Sequence, residues 1–178
     1  MKWLNRLFGG PKDMAALTAG TQAPEISLPT LDGKKFVLRE VLQRGPVLAA
    51  FFKVSCPVCQ YTFPYLERLH KAHGNQKITV VGISQDDRRS TAAFLKEYGV
   101  TFPTLLDDPN GYAVSSAYGL TNVPTWFLIG QEGEIAISSV GWVKAEVEDA
   151  HRRFAELQKT PPQPLFQAGE DVRDFRAG

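Results

Sequence analysis

Cysteine is nearly absent from this chain: its 178 residues include two, Cys56 and Cys59. A disulfide framework is thereby excluded, the fold has to stand on its packing, and thiol chemistry is confined to one stretch. An excess of either charge is also missing. The 20 basic residues stand against 19 acidic ones, a formal net charge of +1. That balance leaves neither the basic footprint of a nucleic-acid-binding protein nor an acidic tail. No apolar run approaches the ~18 residues of a membrane-spanning helix, so no transmembrane segment is expected. The opening MKWLNRLFGG places Trp3, Leu4, Leu7 and Phe8 at amphipathic spacing, but Asn5 and Arg6 interrupt the apolar core a signal peptide requires. A cytoplasmic location is expected on that ground, ahead of a periplasmic or membrane-associated one.

What is present is organised around the stretch Pro46 to Pro64, PVLAAFFKVSCPVCQYTFP. The apolar run Val47 to Phe52 fits a strand covered on both faces, as in the middle of a parallel sheet. Pro57 sits where a helix opens, because a proline at the first helical position gives up an N–H that would be unpaired anyway. Cys56 is then the N-cap and Cys59 lies one turn inside. Unpaired N–H groups and the helix dipole favour a thiolate at that end, and residues at i and i+3 share a face. A CxxC so placed reads as a redox dithiol, with Cys56 the nucleophile and Cys59 the resolving thiol.

Around this stretch the chain divides into residues 1–20, a Gly- and Pro-punctuated extension; residues 21–158, the domain; and residues 159–178, a Pro-rich tail that Leu165 and Phe166 could clip to the surface. Asp32-Gly33 between β-prone runs predicts an N-terminal hairpin. The CxxC helix is predicted to reach His73 and to end in a left-handed C-cap at Gly74-Asn75, with Pro64 kinking it. Strands at Ile78 to Ser84, Phe102 to Leu106, Thr125 to Ile129 and Ile135 to Val140 alternate with helices at Asp87 to Tyr98, Asn110 to Tyr118 and Lys144 to Gln158. That order predicts an α/β domain with a mixed central sheet flanked by helices.

The CPVC turn after a buried strand, the helix proline Pro64, the Asn122-Val123-Pro124-Thr125 turn before a strand, and Gly141 after the last strand resemble the thioredoxin superfamily. The chain is most similar to its TlpA-like and redoxin (AhpC/TSA-related) branch over residues 21–158, and the helix and strand between Asp87 and Leu106 resemble the insertion of that branch. The resemblance implies a thioredoxin-like fold and thiol–disulfide oxidoreductase activity. It implies that Pro124 follows a cis peptide bond, and that the Val123 backbone lies open beside the sulfurs to pair with an extended substrate. Pro57, Val58, Val123 and Pro124 are thereby candidate substrate-binding residues, with Ser55, Lys53, Pro64 and Gly141 in support. The chain also departs from the pattern. Ser55 replaces the aromatic before the first cysteine, Thr62 stands near the usual glutamate, and Ala50 stands where thioredoxin carries a buried acid.

The mechanism that follows is attack of Cys56 on a disulfide, then resolution of the mixed disulfide by Cys59. Its partners are a protein or small-molecule disulfide and an upstream thiol or disulfide redox partner, with no nucleic acid. No cofactor or metal is expected beyond the Cys56–Cys59 disulfide itself, and the protein is expected to act as a monomer. A thiol-dependent peroxidase is the main alternative; the threonine and arginine typical of peroxiredoxins are matched here by Lys53 and Pro124. A metal site of Cys56, Cys59, His70 and His73 and a redox-fold binding protein presenting Trp126 and Trp142 are the others. Against these stand plainer readings: His70 and His73 as solvated helix residues, the two tryptophans as core, and Asp86-Asp87 as a solvated helix start.

Overall fold

The computed structural model describes residues 15–75 and 77–178; the amphipathic stretch at Trp3 to Phe8 lies outside them. In chain order the elements are β1 (Ser27–Pro29), β2 (Lys35–Val37), α1 (Leu38–Leu42), β3 (Val47–Phe52), α2 (Pro57–His73), β4 (Thr79–Ser84), α3 (Arg88–Glu97) and β5 (Thr104–Leu106). They continue as α4 (Ala113–Ala117), β6 (Thr125–Ile129), β7 (Ile135–Val140), β8 (Trp142–Val143), α5 (Lys144–Gln158) and β9 (Phe175–Arg176). Five strands form the central sheet in the order β5-β4-β3-β6-β7. The β3–β4 and β4–β5 pairs are parallel, the β3–β6 and β6–β7 pairs antiparallel. β1 and β2 form the hairpin around Asp32-Gly33.

The strand VLAAFF sits in the middle because every residue of it is apolar, and every one is fully buried. Successive side chains point to opposite faces. Leu48, Ala50 and Phe52 meet Phe63, Leu66 and Leu69 of α2 and Phe154 of α5, while Val47, Ala49 and Phe51 meet Leu38, Val41 and Leu42 and the ring of Tyr118. Trp126 and Trp142 are both fully buried, which makes them core rather than a recognition surface.

The helix ends depart from the sequence reading in instructive ways. Gly74 is extended (φ −62, ψ 114) rather than left-handed. Glycine is needed there for room, since a Cβ would lie 2.4 Å from His70 Nδ1. The α4 helix starts only at Ala113, because Asp108 first closes a turn by accepting from the Asn110 N–H at 2.8 Å. His73 is no solvated surface residue. It is buried between α2 and α5, its Nδ1 2.8 Å from Gln158 Oε1 and its Nε2 2.7 Å from His151 Nδ1.

Residues after α5 run back over the molecule. Arg68 holds Glu170 through two hydrogen bonds of 2.7 and 2.8 Å. Phe166 meets Tyr65 and Trp142 edge to face. The chain then adds β9 alongside β8, a pairing for which the proline-rich composition gave no signal. Among the described residues no helix is long and apolar enough to cross a membrane.

Candidate active site

Antiparallel pairing sets Phe51 of β3 against Thr125 of β6. The chain leaving β3 and the chain entering β6 therefore emerge at the same end of the sheet, which brings residues 53–59 beside residues 122–124. Cys56 is the N-cap of α2 in an extended conformation, with Pro57 in the first turn. Its Sγ accepts the Cys59 N–H at 3.1 Å and donates to the Val123 carbonyl at 3.3 Å. The Val123–Pro124 peptide bond is cis.

The two sulfurs are both thiols and occupy unlike environments: Cys56 is half-buried, Cys59 fully buried. Burial, and after it the hydrogen bond with Cys56, push the Cys59 thiol well above its ordinary range. One sulfur is thus presented at the positive end of a helix while the other is held back in its protonated form.

The loop that carries Cys56 is fixed at Val54. Asp86 Oδ2 accepts the Val54 N–H at 2.8 Å, and Gln60 Nε2 donates to the Val54 carbonyl at 3.0 Å. Asp86 is therefore not part of a solvated helix start. Asp87 caps α3 by accepting from the Ser90 N–H at 2.8 Å, whereas Asp86 faces the CxxC loop, and its charge is one of the influences keeping Cys59 protonated. Neither Asp86 nor Gln60 was singled out from the sequence. The available signal was position, since Asp86 follows the carboxyl end of a buried strand next to β3, where open α/β sheets place their functional groups.

Of the supporting residues, Lys53 and Ser55 have exposed side chains, and Lys53 contributes its carbonyl, which accepts the Cys56 N–H at 3.2 Å. Pro57 is exposed and Val58 half-buried beside Cys56. Pro64 lies within α2, which continues through it to His73. Gly141, at φ +75, donates its N–H to the Pro124 carbonyl at 2.7 Å. It does not follow the last strand, as β8 and β9 come after it.

No carboxylate stands at the two positions that the family resemblance marks. Ala50 is fully buried opposite Trp126, and Thr62 is buried with its hydroxyl unpaired among the described residues. The buried acid of α2 is instead Glu67, engaged by the Thr101 N–H at 2.8 Å and hydroxyl at 2.5 Å. Among the described residues no three His, Cys, Asp or Glu side chains converge in a way that could hold a metal ion. The expected open edge at Val123 is covered. A Cβ on Gly178 would come within 2.7 Å of the Val123 carbonyl oxygen, and Asn122 Nδ2 donates to the Gly178 carbonyl at 3.1 Å.

A mixed sheet with helices on both faces, carrying a CxxC at a strand-to-helix junction against a cis-proline loop, defines a thioredoxin-like oxidoreductase. The chain belongs to the AhpC/TSA family, whose profile matches residues 19–138. It is 32% identical over 149 residues to thiol-disulfide oxidoreductase ResA of Halalkalibacterium halodurans, covering 83% of this chain and 81% of the relative. The ResA of Bacillus subtilis is 30% identical over 132 residues, covering 74% and 70%. The thioredoxin domain of a thiol-disulfide oxidoreductase from Bacteroides vulgatus superposes with a TM-score of 0.70 at 22% identity, over 78% of this chain and 99% of that domain, a likeness of fold.

Proposed function

We propose that the protein reduces disulfides by dithiol exchange. The Cys56 thiolate attacks one sulfur of a substrate disulfide, forming a Cys56–substrate bond as the substrate's own S–S bond breaks and the second sulfur leaves as a thiolate. Cys59 then attacks Cys56, the internal disulfide forms, and the first substrate sulfur departs. The proton lost by Cys59 ends on a departing thiolate, so the balance needs no dedicated acid. An upstream dithiol, oxidised in turn, restores the reduced pair.

The observation that carries this reading is the inequality of two sulfurs one helical turn apart. Cys56 is reachable and N-capping; Cys59 is buried, protonated, and hydrogen-bonded to it through its backbone. Peroxide chemistry is less well served. It needs donors aimed at oxygen beside the reacting sulfur, and the Val123 carbonyl that faces Cys56 cannot donate.

The test is a pair of variants assayed with a disulfide substrate. Cys56→Ser is expected to abolish reduction, and Cys59→Ser to accumulate a mixed disulfide at Cys56. Retained reductase activity in Cys56→Ser overturns the assignment. Rapid peroxide consumption by Cys59→Ser would favour the peroxidase.

A further inference from the structure

We propose that residues 173–178 are an intramolecular occupant of the substrate groove, which polypeptide disulfides must displace while small disulfides reach Cys56 past it. The inference rests on Cys56 being the attacking sulfur. An extended substrate segment needs the backbone beside that sulfur, and here the chain's own residues lie on it. Gly178 packs on the same Val123 carbonyl that accepts the Cys56 thiol, and Asn122 holds it from the side. Gly141 leaves the passage for this strap: a Cβ there would stand 2.5 Å from the Arg176 carbonyl oxygen and 2.9 Å from the Gly178 nitrogen. Glycine at 178 is needed for the same reason, since any side chain would meet Val123.

The hold on the strap is graded. Upstream, Glu170 is gripped bidentately by Arg68, and Phe166 is packed among aromatic rings. Closer to the site, Trp142 Nε1 donates to the Arg173 carbonyl at 2.5 Å and the Lys144 N–H donates to the Asp174 carbonyl at 2.9 Å. Beyond that point the ladder is two residues long, Phe175 is 61% exposed, and the Arg176 guanidinium rests 4.7 Å above the Tyr61 ring. A two-residue strand pair is marginal by itself, so residues 175–178 can lift while the anchored part stays in place. The half-buried Cys56 remains within reach of a small molecule throughout.

The experiment uses the full chain carrying Arg176→Ser and Gly178→Val, which removes the cation–π contact and forces a side chain against Val123. Two activated probes report on access to Cys56: a cysteine-containing decapeptide and cysteamine, each joined to 5-thio-2-nitrobenzoate. Attack forms the Cys56–probe disulfide, breaks the probe's S–S bond and releases the coloured thiolate. The decapeptide is expected to react at least fivefold faster with the variant than with the parent, and cysteamine less than twofold faster. Equal acceleration of both, or none, overturns the strap. Failure of both probes to release the coloured thiolate with either the parent or the variant overturns the thiol-exchange reading instead. Hydrogen exchange then decides the strap separately: the amides that form the Trp142–Arg176 and Val143–Phe175 ladder should exchange at least fivefold faster in the variant, and unchanged protection throughout that ladder overturns the proposal.

Discussion

The burial of Cys59 should make the reduced protein lose stability in alkali, and replacing that one sulfur should remove the loss. An unfolded cysteine ionises near ~8.5, while Cys59 in the folded state stays protonated far above that value. The folded pKa is raised, so this group's contribution is fully present below about pH 8.5 and declines as pH climbs further, the unfolded chain alone giving up its proton. The decline approaches about 1.4 kcal/mol per pH unit. Between pH 7 and pH 10 it amounts to about 2 kcal/mol, a sizeable part of a typical domain's ~5–15 kcal/mol. The assay is urea denaturation of the reduced protein across that range, followed by tryptophan fluorescence, for the parent and for Cys59→Ser. The serine variant should follow a flatter profile, the two curves diverging by about 2 kcal/mol at pH 10. The buried Tyr118, also raised above its ordinary range, is common to both proteins and cancels in the difference. Parallel curves would refute the reasoning, because they would mean that Cys59 ionises in the folded protein as it does in the unfolded one.

Other outcomes follow from single contacts. Trp142→Phe keeps the ring in its aromatic cluster but takes the donor from the Arg173 carbonyl, a loss of about 1 kcal/mol in stability, with faster exchange at the Lys144 amide as the local reporter. Thr62→Val replaces a buried, unpaired hydroxyl with a methyl of similar shape and should raise the melting temperature by about 1–4 °C; a fall would show that the hydroxyl has a partner. Glu67→Ala leaves the Thr101 N–H without its acceptor and should cost about 2–3 kcal/mol in urea denaturation. The Glu170 carboxyl is held at about 2, first by its hydrogen bonds from Arg68, against an ordinary 4.5. Its folded pKa is depressed, so its contribution is complete above about 4.5 and lost as pH falls through about 2. Protection of the Gln167 amide, whose N–H donates to Glu170, should fall across that interval when its exchange is divided by the intrinsic rate at each pH.

The parts of the molecule governed by short-range pattern were legible in the sequence. An unbroken apolar strand, a proline behind the first cysteine and an Asp-Gly hairpin each fix local structure by themselves, and the central sheet, the N-cap at Cys56 and the hairpin are as those residues imply. What was not legible depends on partners remote in sequence. Asp86 belongs to the site because β4 lies beside β3, 32 residues from the Val54 it holds. His73 is buried because α5 brings His151 against it from 78 residues away. The C-terminal residues carry tail-like composition, and only the glycines at 141 and 178, with their demand for space, mark where they lie. Gly74 shows the same ambiguity, since a glycine selected for clearance and one selected for a left-handed turn look alike in a sequence.

The position of β3 between β4 and β6 has a further consequence during synthesis. Its inner neighbour on one side is complete by residue 84, but the strand that closes its other side begins only at residue 125. Until then VLAAFF, uncharged and free of proline and glycine, presents an unpaired backbone edge of the kind that templates association between chains. A nascent or proteolysed chain ending before β6 should therefore aggregate, and it would do so with Cys56 and Cys59 exposed to intermolecular oxidation, so that such deposits would be held by covalent bonds as well as by strand pairing.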